Sequence, residues 1–446
     1  MARPARRTLA LALAAVLGAG APGGGLAGGV AHAAEGYEAA GPVPAASYLP
    51  AAELAGPDWK VAPEAVNDGV FNNYTVESRF GAFPARGRSA VAVRAKEVAA
   101  LAELERISKS DVFKTAVKDS AMGSVRAVQS FATQPVETVK AVPAGVNRWL
   151  KKTRYQVQET YADTKETVAE VRQGEDGEGG SGEGGKKAEL VDEGKKAAHA
   201  YALDYLNISS AERRWYAELG VDPYTDNQVL REVVKDYSRI GGLTSFGMRF
   251  VGLPSIPGAR EMRKTMDLVW KTDPWELRRQ NREKLLAAGI SEAVARDFEN
   301  SPHLSLTHQV ALVGAFEAMA GVEGRQHLLA RALDVESRED GAAMTQSILL
   351  LAEHHRGDRP LAAVLPGTQA PVGRAKSGAL VAVVVAEAVF WTDEVAAAVA
   401  DFAEVYRGER AEVRELWTPG RVSERFTAEA AAAGWTVHDR WQPSAG

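Results

Sequence analysis

Between Gln173 and Lys187 the chain reads QGEDGEGGSGEGGKK, with seven glycines and no aliphatic or aromatic residue. A segment of this kind cannot bury enough apolar surface to offset the entropy lost on ordering, so the sequence predicts a solvated, disordered tether over 173–187. Helical patterns run into it and out of it. The chain must therefore fold either as two parts joined by this tether or as a helical hairpin whose tip it forms.

At 446 residues the chain has room for two or three domains and a sizeable core. There is no cysteine, which excludes disulfides, thiolate metal sites, iron–sulfur clusters and cysteine nucleophiles. The formal charge of −5 argues against a protein built as a whole to hold nucleic acid.

Residues 1–33 read as a signal peptide. Arg3, Arg6 and Arg7 form a basic head, Thr8 to Ala21 an apolar run, and Ala31-His32-Ala33 a small-x-small cleavage site. Gly23-Gly24-Gly25 interrupts the run before it reaches the length of about 20 residues that a spanning helix needs. The expectation is an exported protein, periplasmic or secreted.

Residues 34–70, rich in Ala, Pro and Gly, read as a poorly ordered lead-in. Phe71 to Phe80 alternates enough to predict a strand. It opens a segment, 71–172, that is otherwise a helical arm broken by Pro135 and Pro143. The charge on that arm is lopsided. From Met122 to Arg154 the six bases Arg126, Lys140, Arg148, Lys151, Lys152 and Arg154 meet one acid, Glu137. Short amphipathic pieces of this composition suit an anionic bilayer or another acidic polymer. The alternative is that their apolar stripe packs on the rest of the chain and the bases pair with its acidic surplus.

Residues 188–356 read as an irregular helical domain. Ser209 with Glu212 and Thr225 with Gln228 look like capping boxes, and Asp273-Pro274 like a cap followed by an N1 proline. Within it, Ile240 to Gly258 is apolar and rich in Gly and Pro, with Arg249 as its one charge. Such a loop is either tucked into a core or a binding surface presenting Phe246, Met248, Arg249 and Phe250. Residues 357–446 read as a small α/β domain: a buried strand in Ala379 to Ala386, a helix from Asp393, a strand at Val413 to Trp417, a helix from Glu424 and a strand at Thr436 to His438. The expected fold is thus mainly α with a small C-terminal α/β unit: helical arm, irregular helical bundle, and a short parallel-type sheet.

No motif for a specific chemistry is present. His354, His355 and Asp358 form a polar cluster near the first C-terminal strand, and Glu387 interrupts an apolar run. These are weak acid/base candidates. In parallel sheets ligands sit beyond the carboxyl ends of the strands, which directs attention to Glu387, Thr392, Asp393, Thr418 and Gly420. No metal or cofactor is expected, and no nucleic acid. The favoured function is non-enzymatic binding at an anionic membrane surface or envelope polymer, or to a protein partner. The alternatives are a hydrolase-like enzyme with its site at the C-terminal sheet edge, and an assembly subunit that docks through its arm.

Overall fold

The computed structural model describes residues 36–111, 113, 208–240, 259–357, 359–367 and 370–442. The leader, the basic stretch with Arg126, Lys140, Arg148, Lys151, Lys152 and Arg154, the Gly/Glu tether, the loop carrying Phe246, Arg249 and Phe250, and Asp358 lie outside them.

The first element group is an antiparallel sheet of β1 (Pro42–Pro44), β2 (Trp59–Val61), β3 (Glu64–Asn67), β4 (Asn72–Ser78) and β5 (Gly81–Arg86). Strand β4 is its spine. On one side it pairs with β5 from Asn73↔Arg86 to Ser78↔Gly81. On the other it meets β3 at Val66↔Asn73 and then β2 at Val61↔Val76, while β1 lies outside β3. The prolines sit where no ladder donor is missed, in the edge strands β1 and β5. Tyr74 and Val76 alternate inward along β4. They pack with Val91, Val98, Leu101, Leu104 and Ile107, which line one face of helix α1 (Gly87–Ser108).

This sheet overturns the expectation of a mainly helical chain with one small C-terminal α/β unit. Over 289 of the described residues, 51% are helical and 17% are strand, and the N-terminal part is an antiparallel half-barrel. Residues 42–67, expected to be a poorly ordered lead-in, supply three of its strands. Those strands are three or four residues long. That is too short to show a period of two, and they become strands only by pairing with one another and with β4.

Helices follow: α2 (Ser210–Leu219), α3 (Gln228–Ser238), α4 (Ala259–Lys271), α5 (Pro274–Ala287), α6 (Glu292–Glu299), α7 (Leu306–Ala318), α8 (Gln326–Leu333) and α9 (Arg338–Arg356). Ser209 and Glu212 form a reciprocal capping box at α2, and Asp273 with Pro274 opens α5. At α3 the cap is Asn227, whose Oδ1 accepts from Leu230 N–H at 3.1 Å. Thr225 instead donates to Glu97, a buried carboxylate on α1. These helices do not make a separate bundle. Trp215, Leu230, Val234, Tyr237 and Val269 share one core with the N-terminal sheet and α1. Residues of α6 to α9, such as Phe298, Phe316, Leu329 and Leu350, share the other with the C-terminal sheet.

That sheet comprises β6 (Leu361–Val364), β7 (Val372–Ala375), β8 (Leu380–Val383), β10 (Arg414–Trp417) and β12 (Thr436–His438), in the order β12-β10-β8-β7-β6. Strands β8, β10 and β12 are parallel, linked by α10 (Asp393–Val405) and α11 (Glu424–Ala432). Strands β6, β7 and β8 form an antiparallel meander, so the sheet is mixed. Every residue of β8 is buried, as a central strand covered on both faces requires. Just past the carboxyl ends of β8 and β10, β9 (Ala388–Val389) pairs with β11 (Arg421–Val422) in a two-stranded ladder. No described helix is long and apolar enough to cross a membrane.

Candidate functional site

Glu387 stands just beyond the carboxyl end of β8, where an open α/β sheet receives its ligand. The neighbouring link from β10 carries Thr418 and Gly420. A Cβ on Gly420 would lie 2.7 Å from the Ala386 carbonyl carbon and 2.8 Å from the Glu387 Cα. Only glycine lets these two links approach so closely.

The chain's own N-terminal sheet occupies this place. The turn between β3 and β4, residues 67–71, docks against the segment after β8. Val70 O accepts from the Glu387 and Ala388 amides at 3.0 and 3.1 Å, and Gly69 O from the Phe390 amide at 3.0 Å. Gly69 is in the left-handed region (φ +94°), and a side chain there would press on Thr392. Asp68 shapes the turn by accepting from the Val70 and Phe71 amides at 3.1 and 2.7 Å.

A chain of side-chain hydrogen bonds crosses the same joint. Asn67 donates from Nδ2 to Asn72 Oδ1 (2.8 Å) and to the Ala388 carbonyl (3.0 Å). Asn72 Nδ2 donates to Tyr74 Oη at 3.1 Å. Tyr74 in turn donates to Glu387 Oε1 at 2.6 Å, and the Asn72 amide donates to Oε2 at 3.3 Å. Burial pushes the half-buried Glu387 carboxyl up to about 7, outweighing Tyr74, Asn72 and the Arg88 charge, which act the other way. Burial, then the nearby Glu387 charge, hold the Tyr74 phenol far above its ordinary value, so it remains a donor. Arg88 is itself clamped by Glu53 through two bonds of 2.6 and 2.7 Å.

Two further ties complete the joint. Arg86 Nε donates to Asp68 Oδ2 at 3.0 Å and Nη1 to Asp340 Oδ1 at 3.5 Å, with its guanidinium 4.3 Å from the Phe71 ring centre. Glu38 Oε2 accepts from the Trp391 amide and the Ser423 hydroxyl, each at 2.5 Å.

The histidines of the sequence analysis lie elsewhere. His354, at the end of α9, is 6% exposed. Its ring meets Trp417 and Trp441 edge-on, with centroids 5.5 and 6.0 Å apart. Neither ring nitrogen has a hydrogen-bond partner. Burial pushes the imidazole down to about 4, with Arg359, His355 and His438 adding to the effect and Glu415 opposing it. His355 has a backbone role: its Nδ1 accepts from the Leu361 amide at 2.9 Å at the start of β6. Neither histidine shares a hydrogen-bond partner with Glu387. Among the described residues no group of three or more His, Asp or Glu is placed to hold a metal ion.

A half-buried carboxyl poised near neutrality beside a phenol has the makings of an acid/base pair. Here both carboxyl oxygens are engaged by donors from the chain itself. Sequence reasoning singled out Glu387 but not Asn67, Asn72, Tyr74 or Arg88. The available signal was Asn67-Asp68-Gly69, a turn sequence, followed by polar residues on the inward side of β4. Set against protein-family models, curated proteins and solved structures, the chain matches none of them, so its function must be argued from this geometry and the sequence.

Proposed function

We propose that this is an exported, non-enzymatic binding protein. Its described residues form a scaffold, and its binding element is the basic stretch from Met122 to Arg154. The observation that supports this reading is the occupied crevice. Where a hydrolase-like enzyme on this sheet would open its site, residues 67–71 are docked, and Glu387 is engaged by Tyr74 and Asn72. Charge supports it too. In the scaffold many arginines face acids, as in Arg88–Glu53, Arg94–Asp226 and Arg359–Glu415. The stretch 122–154 has six bases for one acid.

The partner fitting that composition is an anionic membrane surface or envelope polymer, met after export. The hydrolase reading draws its support from Glu387, whose carboxyl is held near 7. Flotation of the mature chain with vesicles of neutral or anionic phospholipid tests the proposal. Binding to anionic vesicles alone, weakened as salt shortens the Debye length from about 30 Å at 0.01 M to about 8 Å at 0.15 M, is the expected result. No flotation with anionic vesicles at low salt would sink the membrane-surface reading.

A further inference from the structure

The joint at the carboxyl end of the C-terminal sheet has the construction of a switch. A turn from a distant part of the sequence lies in the crevice, held by three backbone hydrogen bonds from Glu387, Ala388 and Phe390. On the C-terminal side the Glu387 carboxyl is reached by Tyr74 and Asn72, from the first residues of β4 that continue the turn. We propose that residues 67–74 act as a proton-controlled latch over this crevice, closed while the Glu387 carboxyl is neutral and loosened when it ionises.

The chemistry of the two states follows from the donors. A neutral carboxyl keeps its carbonyl oxygen as an acceptor, so the 2.6 Å bond from Tyr74 survives protonation. The 3.3 Å contact from the Asn72 amide is the one given up. An ionised carboxylate regains that contact but is held largely away from water, and burial is the larger effect. Releasing the turn lets the charge hydrate.

The other charged groups facing the joint each have a partner that limits their part. Arg88 on α1 is forked onto Glu53. Tyr48 adds slightly to the rise of the Tyr74 phenol and has the Arg421 guanidinium 5.6 Å from its own ring centre. On the turn itself Asp68 is tied to Arg86, which also reaches Asp340. Asp340 is pushed up to about 6, by burial first, against the pull of Ser337 and Arg86. It has therefore largely ionised before Glu387 does.

A group whose folded value is raised favours the closed state most at low pH and loses that contribution as pH rises through the raised value. Hydrogen exchange at the Glu387, Ala388 and Phe390 amides reads the latch directly, because their acceptors are Gly69 and Val70. In the full mature chain their protection factors, corrected for intrinsic exchange, should fall about tenfold between pH 6 and 8.5, given a carboxyl displaced from 4.5 to about 7. In Glu387→Gln the fall should shrink to about twofold, the residue of Asp340. Tyr74→Phe provides an independent check, since losing the phenol donor must move the wild-type transition to higher pH. Protection independent of pH in the wild type, an undiminished fall in Glu387→Gln, or an unmoved midpoint in Tyr74→Phe overturns the proposal.

Discussion

Gly420→Ala is the sharpest probe of the packing on which the joint depends. The added methyl would meet the Ala386 carbonyl oxygen, lie 2.7 Å from its carbon and lie 2.8 Å from the Glu387 Cα. All three are backbone atoms, so no side chain can swing away. The link from β10 must retreat from the segment after β8, straining the Gly420 carbonyl, which accepts from Arg440 N–H at 2.7 Å. Overpacking of this kind costs about 3 kcal/mol. Gly434→Ala supplies the control. Gly434 has φ +83° but nothing within 4 Å of the new methyl. Left-handed strain there costs about 1–2 kcal/mol, while the stiffer unfolded chain returns about 0.4–1 kcal/mol to both variants alike. Urea denaturation at unchanged m-value compares the two. Gly420→Ala should be the more destabilising by about 1–2 kcal/mol. Equal costs, or a larger cost at Gly434, would refute the close approach of these links.

Arg86→Ala should cost about 3 kcal/mol in the same assay, because it takes the guanidinium from both Asp68 and Asp340, leaving Asp340, whose side chain is 7% exposed, with only the Ser337 hydroxyl as a side-chain donor, and removes the cap on the Phe71 ring; a loss under about 1 kcal/mol would mean that the pairs are spectators. His354 is held down to about 4, below its ordinary 6.5, so the folded state takes up its proton later than the unfolded state. Its contribution is complete above pH 6.5 and is lost as pH falls toward 4, by about 2–3 kcal/mol. His354→Phe should therefore flatten the melting-temperature profile on that side of neutrality, and a profile parallel to the wild type would contradict the buried neutral imidazole.

What was legible in the sequence was whatever a few neighbouring residues decide. Ser209 with Glu212, Asp273 with Pro274, and Ser423 before Glu424 cap helices through atoms three residues apart or fewer. Thr225 shows where such reading stops. By local pattern it is as good a cap as Asn227, but Glu97, 128 residues away, claims its hydroxyl. Strand β4 was legible in the alternation from Phe71 to Phe80, but the short strands before it were invisible for the same reason. Pro42–Pro44 and Trp59–Val61 have no strand signature until β3 and β4 lie beside them. Val372–Ala375 in the C-terminal sheet, with a glycine at its second position, is set by β6 and β8 on its flanks. Glu387 stood out because a carboxylate in an apolar run demands a reason. Its partners, 313 and 315 residues earlier, could come only from the fold.

The account places binding in the basic stretch and not at the sheet edge, and one paired flotation experiment separates the two. Neutralising Arg148, Lys151, Lys152 and Arg154 together to glutamine removes about 1 kcal/mol per charge at an anionic surface, a loss of about a thousandfold in partitioning for the four. Glu387→Gln, with the basic stretch intact, should float with anionic vesicles as the wild type does. If the fourfold variant still floats while Glu387→Gln does not, the binding element is the crevice at the end of the C-terminal sheet, and the central claim is wrong.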